Sequence, residues 1–550
     1  MTSGARRAER VKRTQIIEVD NVTRPFSGIS PSRGPEQSYD AVVIGAGIGG
    51  LVCANILARG GLKVLLTEQH YMVGGYCSTF RRQGFVFDAA SHFYPLLGNR
   101  ESITGRLLQD LGLTTAWVKM DPVDQFHLPD GSDFSVSADY DTYLADLKRL
   151  FPGESESLDR FFRLVRRVYL LGLLHYFQEC ETNRLSGYLR MTVRDALNQF
   201  FTSEKLKLLL TADCPHWGSP PCRTSFVFDS MLRLSYFEGN YYPVGGSQVF
   251  ADELASQFQR CGGQILTKSL VRRIVVRNQQ VTGIEIETGP RRSRYLAKVQ
   301  AGTVVSNADM RQTVFGMIGG ESFPAEYVSD VRRLRPSFPC FLSHIGLQGI
   351  STDLLRRIHG YYWNGWDSDR VGTNEFQFKI FVPTLYEPRM APAGGHVIVV
   401  QKVTDFDYSA VSDWKSHKQA IEAFVFKRLE ELIPGFRDKI VVCQTASAQT
   451  SHRFTLNYHG AMLGWEMSPD QLGHHRPHLE SPIAGLFFAG QWTRPGGGIT
   501  PVIVSAKRVA ERVIGNCGAS STAADPPASD PPASGRPEPG NRAAQLATSP

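Results

Sequence analysis

The sequence has no uninterrupted run near the ~18 apolar residues that a membrane-spanning helix needs, and its mean hydropathy of −0.20 agrees. It reads as lacking a secretory leader, since Met1 to Arg13 is charged and polar with no apolar stretch behind it. Its nine cysteines are scattered, odd in number and contain no C-x-x-C pair. Neither a disulfide framework nor a zinc site is suggested, and a reducing, cytosolic compartment is the expectation. With 51 glycines and 31 prolines in 550 residues, about 15%, the chain is too poor in both to be collagenous or globally disordered. The basic excess is only +7, too diffuse to point to nucleic acid, and no nucleic-acid motif is present. No Ser-His-Asp elbow motif appears. What is present, 42% hydrophobic and 21% charged residues, is ample for a core in about three to four domains, or fewer with large insertions.

Residues 1–36 read as a flexible basic lead-in that could favour an anionic membrane surface. Residues 519–550, with the pentapeptide DPPAS twice in succession, read as a disordered tail. Between them the pattern opens with a strand from Asp40 to Ile44, a glycine turn, a helix to about Arg59 and a strand from Lys63 to Thr67. A hairpin turning at Asp130-Gly131 follows. The stretch Asp141 to Ser235 reads as helical, and its run Val168 to Phe177 is either buried core, a tunnel wall or a surface that dips into lipid beside Arg163, Arg166 and Arg167. A last helix is expected over about Pro501 to Ile514. The fold class is α/β.

The first chemical signal is Gly45-x-Gly47-x-x-Gly50, between the first strand and the helix. The first glycine permits the tight turn, the second lets backbone approach a pyrophosphate, and the third lets helix and strand pack closely. Amides at the helix start then face the phosphates. Glu68, 18 residues past Gly50 at the end of the second strand, suits both ribose hydroxyls and disfavours the 2′-phosphate of NADP. No metal site is expected: His474, His475 and His478 include an i, i+4 pair, but Gly473 and Pro477 interrupt the stretch.

The glycine fingerprint is followed in order by Gly74-Gly75, Tyr242-Pro243-x-Gly245-Gly246, Ala308-Asp309 after Val304-Val305-Ser306-Asn307, and Ala489-Gly490. In this the sequence resembles the FAD-dependent carotenoid desaturase, carotenoid isomerase and retinol saturase superfamily, relatives of the amine oxidases, over about 38–517. The resemblance implies a Rossmann-type FAD-binding domain of glutathione-reductase-like topology (37–120, 240–310 and 471–518) with an inserted mixed α+β substrate domain (121–239 and 311–470). It implies cofactor contacts from Gly45, Gly47, Gly49, Gly50, Glu68, Gln69, Gly74, Gly75, Val271, Gly490, Gln491, Gly497, Gly498 and Ile499. Val271 would meet the adenine through its main chain, Gly490 the phosphates, and the Gly496–Gly498 loop the isoalloxazine. Candidates beside the flavin are His92, Tyr242, Arg494 and Thr500. Tyr76 stands where phytoene desaturases usually carry a basic residue, and His92 matches a histidine of the retinol saturases, so the isomerase and saturase branches are the closer ones. Gln491-Trp492-Thr493-Arg494 matches none of the branches cleanly.

A polyene has almost no polar handles, so its site should be a long apolar channel ending over the flavin. Desaturation, cis–trans isomerisation and saturation all remain open, because the cofactor performs the hard step and the protein orients the substrate. Two other readings stand beside these. One is a soluble flavin oxidase of an amine or porphyrinogen. The other is a non-enzymatic isoprenoid-binding escort protein of the same fold, against which the intact Gly490 to Thr500 segment speaks.

Overall fold

The computed structural model describes residues 34–177, 183–373, 375–405 and 407–522. The readings made for residues 1–33 of the lead-in and 523–550 of the tail lie outside these. Two seven-stranded sheets and a helical layer enclose one large cavity.

The first sheet has five parallel strands in the order Gln264–Leu266, Val64–Thr67, Ser38–Ile44, Tyr295–Ser306 and Leu486–Phe488. Tyr295–Ser306 is long enough to do two jobs. Its second half lies in the parallel core, and its first half closes an antiparallel meander with Gln280–Thr288 and Leu270–Arg277. The central strand is buried at Ala41, Val42, Val43 and Ile44 without alternation, because both its faces are covered. The helix Ile48–Arg59 covers one face and is itself apolar nearly all round, being held between the sheet, the helix Ser247–Arg260 and the C-terminal helix Ile499–Thr522. That last helix starts two residues before the expected Pro501, whose missing N–H costs nothing in a first turn.

The second sheet runs Ile440–Ala446, Cys340–Gln348, Gly395–Val403, Gln377–Phe381, Gly360–Trp363, Asp124–His127 and Asp133–Val136. The hairpin at Asp130-Gly131 forms, with Gly131 at φ +79°. One face of this sheet buries Phe341, Ile345 and Ile398 with Val425 and Leu429 of the helix Trp414–Leu432. Its other face turns Leu342, His344 and Gln401 to the cavity. The helical layer is led by Ser155–Gly172, packed on Phe226–Phe237. They approach closely where Gly172 leaves room, since a Cβ there would lie 3.0 Å from Met231 Sδ. The run Val168 to Phe177 passes from this helix into a π-turn, Leu173–Phe177. Val168 and Tyr176 are buried, whereas Leu170 is 61% and Leu174 41% exposed.

Candidate functional site

The cavity measures about 920 Å³ and has two chemically different arms. In the first, glycine decides the shape. Gly45 turns the chain at φ +92° and Gly50 seats the helix on the turn: a Cβ on Gly50 would stand 2.0 Å from Gly45 O. Gly47 and Gly74 form an isolated parallel bridge, and Gly74 N donates to Ala46 O at 2.7 Å. A Cβ on Gly75 would come within 3.3 Å of Gly47 Cα, so side chains at either place would fill the slot between them. Asn307 braces this turn from below, its Nδ2 donating to Gly45 O at 3.3 Å and its own N to Ile44 O at 2.8 Å.

At the outer end, Glu68 accepts from Ala46 N and His70 N, both at 2.8 Å. Burial pushes its pKa up against these bonds, and its carboxyl still faces the cavity. At the inner end, Gly498 (φ +101°) precedes the helix Ile499–Thr522, and a Cβ there would meet only Pro501 at 3.5 Å before projecting into the space. The arm therefore offers unbonded first-turn amides at two helix starts, a bare glycine slot between them and a carboxyl at the far end. The Ile48 helix start and the glycine slot suit a pyrophosphate, the Glu68 carboxyl a ribose, and the Gly498–Ile499 helix start the flavin ring, so the residues present fit FAD.

The second arm lies against the helical layer and is lined by Leu170, Leu173, Phe228, Met231, Leu232 and Tyr236. Ile103, 51% exposed, also lines the cavity, as do Glu101 and Glu238. The two arms meet at His92. Its Nδ1 lies 3.1 Å from Ala90 O and so carries the proton, which leaves Nε2 to accept from His216 Nε2 at 2.9 Å. Burial first, then the nearby Lys379 charge, pulls the His92 pKa down to about 3, and the same causes hold His216 well below its ordinary range. Both rings are neutral at pH 7. Behind them Lys379 Nζ donates to Asp124 Oδ2 at 2.6 Å, with both side chains buried, and sits 4.3 Å from the Tyr361 ring and 4.6 Å from that of Phe93.

Of the residues expected from sequence, Gly45, Gly47, Gly49, Glu68, Gln69, Gly74, Gly75, Val271, Gln491, Gly497, Gly498, Ile499, His92 and Thr500 line the cavity. Thr500 Oγ1 is already engaged, donating to Pro95 O at 3.0 Å. Gly50 and Gly490 stand one layer back; Gly490 N donates to Ser505 Oγ at 2.9 Å, and a Cβ on it would strike Asn307.

Tyr242 and Arg494 are not brought to the cavity. The Tyr242 hydroxyl donates to Asp88, whose other oxygen accepts from Ser247 N at 2.9 Å, so this ring props the wall from behind. Arg494 reaches away, donating to Arg476 O at 3.0 Å and His474 O at 2.9 Å.

Sequence reasoning missed His216 and the pair Lys379–Asp124, and met Asn307 only as the residue before Ala308-Asp309, without a role. For the pair, the available signal was Lys379 between Phe378 and Ile380 in the buried strand Gln377–Phe381.

The family described as flavin containing amine oxidoreductase matches residues 48–514. Prolycopene isomerase 1, chloroplastic, of an Oncidium hybrid cultivar is 29% identical over 88% of this chain and 86% of its own length. All-trans-retinol 13,14-reductase of Rattus norvegicus is 31% identical over 84% of this chain and 83% of its own. Among solved structures, an oxidoreductase from Methanosarcina mazei superposes with a TM-score of 0.59 at 18% identity, covering 86% of this chain and 99% of that one. Putrescine oxidase bound to putrescine gives 0.61 at 14% identity, covering 88% and 100%. The structures speak to the fold. The sequence matches extend along nearly the whole described chain, and they agree with a cavity shaped for a flavin dinucleotide: this chain belongs to the flavin containing amine oxidoreductase family, in its carotenoid desaturase, carotenoid isomerase and retinol saturase superfamily, and is an FAD-dependent oxidoreductase.

Proposed function

We propose that the enzyme acts on carbon–carbon double bonds of a hydrophobic isoprenoid polyene, of the carotenoid or retinoid class, and isomerises or saturates them with its cofactor reduced. The observation that carries this reading is the continuity of the glycine-lined arm with a wall built from Leu170, Leu173, Phe228, Met231 and Leu232. At His92 and His216 the cavity presents two neutral rings. The names of the relatives, an isomerase of prolycopene and a reductase of all-trans-retinol, support the same class.

The parallel strand order and the glycine turn support reading the first sheet as a Rossmann-type domain of glutathione-reductase-like topology, and the second sheet with the helical layer as the substrate domain.

FAD, when bound, supplies two-electron chemistry at a carbon centre. The chain does the rest. Phe228 and Met231 orient the polyene and exclude water. His92, with its Nδ1 proton fixed on Ala90 O, and His216 present a neutral polar pair beside the reacting bond. Thr500 ties the start of the last helix to Pro95.

The enzyme contacts an anionic membrane peripherally through the exposed Ile103 and Leu170, which line the cavity its substrate enters. This is supported by their exposure, 51% and 61%.

The test is the visible spectrum of purified protein, followed by anaerobic incubation with a carotenoid or a retinol in lipid, oxidised and pre-reduced. Turnover only when pre-reduced supports the proposal. Bleaching of oxidised flavin with a new double bond assigns desaturation, and peroxide formation from an amine with no effect on polyenes refutes the polyene reading.

A further inference from the structure

Arg476 is almost wholly buried, at 1% exposure. Its guanidinium is spread over five backbone carbonyls. Nε donates to Thr493 O at 3.0 Å, Nη2 to Gln491 O at 2.7 Å and Trp465 O at 3.2 Å, and Nη1 lies 3.5 Å from both Glu466 O and Gln471 O. Every ordinary partner of a buried arginine is missing from this set, since none of the five is a carboxylate. Glu466, the one acidic residue among the five, gives Arg476 only its carbonyl. Its carboxylate oxygens are held by Arg223 at 2.9 Å and Arg335 at 3.1 Å. Burial draws the Arg476 pKa down to about 9, which leaves it protonated at pH 7. A full positive charge thus stands in a low-dielectric interior, balanced among the described residues by peptide dipoles.

Its position gives that charge a use. A Cβ on Gly496 would lie 3.7 Å from Arg476 Cζ, so the guanidinium sits directly against the loop whose next two residues, Gly497 and Gly498, line the cavity. Gln491, whose carbonyl takes the shortest of the five bonds, lines it too. A clamp for the loop would need only donors, whereas an unpaired cation also acts on whatever gains negative charge beyond the loop.

We propose that Arg476 is a positioning residue of the flavin site, which pins the Gln491–Thr493 backbone and sets a fixed cation behind the Gly496–Gly498 loop that favours the anionic, reduced cofactor and raises its midpoint potential. The proposal rests on the FAD assignment, so the flavin content of the wild-type holoenzyme is measured first and reports on that assignment separately.

Midpoint potentials are then read by equilibration with a reference dye. Arg476→Gln should shift the reduction equilibrium at least tenfold toward the oxidised form, about 30 mV for a two-electron couple. Arg476→Lys, which keeps the charge, should recover most of that shift although it loses bonds of the fan. An unchanged potential in Arg476→Gln, or an equal fall in Arg476→Lys, overturns the proposal. Should Arg476→Gln not retain flavin, Met467 decides, because its Sδ lies 3.6 Å from Nη1. Met467→Glu, which places a carboxylate against the guanidinium, should lower the potential relative to Met467→Gln, and equal potentials in that pair refute a role for the charge.

Discussion

Gly50→Ala tests whether the turn geometry governs flavin binding. A Cβ at this position would stand 2.0 Å from Gly45 O and 3.1 Å from Asn307 Nδ2. Gly45 cannot yield freely, because its N donates to Thr67 O at 2.8 Å and its carbonyl accepts from Asn307. Ordinary contact begins near 3.4 Å, so helix and turn must part by roughly 1.4 Å, and overpacking of this kind costs ~1–3 kcal/mol. If the strain is relieved only by moving the turn away from its flavin-binding shape, that cost appears as lost affinity. At ~1.4 kcal/mol per tenfold, the Kd for FAD should rise about 5- to 150-fold. Titration of apoprotein with FAD, followed by quenching of flavin fluorescence, measures it. Gly302→Ala is the control, since that residue is exposed in the strand Tyr295–Ser306 and a Cβ there would meet nothing within 4 Å. A Kd for Gly50→Ala within twofold of wild type would refute the reasoning.

Three further outcomes follow from the same geometry. Lys379→Met leaves the Asp124 carboxyl buried without its partner and should cost ~3–5 kcal/mol, while Lys379→Met with Asp124→Leu should recover most of it; thermal unfolding of the holoenzymes decides, and an additive double variant would be evidence against the coupling. His92, whose folded pKa is about 3 against an ordinary 6.5, takes up its proton on unfolding below pH 6.5, so its contribution is present above that pH and is lost as pH falls. At pH 5.5 the loss is about 1.4 kcal/mol, and His92→Asn should flatten that part of the stability–pH curve; identical slopes in urea unfolding would sink the idea. Leu170→Asp should weaken flotation with anionic liposomes several-fold while leaving flavin content intact, and unchanged flotation would remove this residue from the membrane contact.

The glycine turn was legible in the sequence because its chemistry is local. Gly45 at positive φ, Gly47 open to the slot and Glu68 at a strand end are imposed by neighbours in the chain, and spacing alone announces them. The resemblance to a flavin superfamily likewise came from motifs whose order survives in sequence.

What spacing could not reveal is which side chains from distant segments converge. His92 and His216 lie 124 positions apart and Asp124 and Lys379 lie 255 apart, and nothing local distinguishes them from packed residues. Tyr242 and Arg494 stood next to the right motifs and were carried away from the cavity by partners the sequence does not name, Asp88 for the one and the carbonyls of Arg476 and His474 for the other. The sequence by itself determined the dinucleotide turn, because backbone conformation there depends on residues a few positions apart. Only the tertiary structure decided the neutral histidine pair, the buried ion pair and the bare guanidinium behind the loop, because burial and charge balance are properties of the assembled interior.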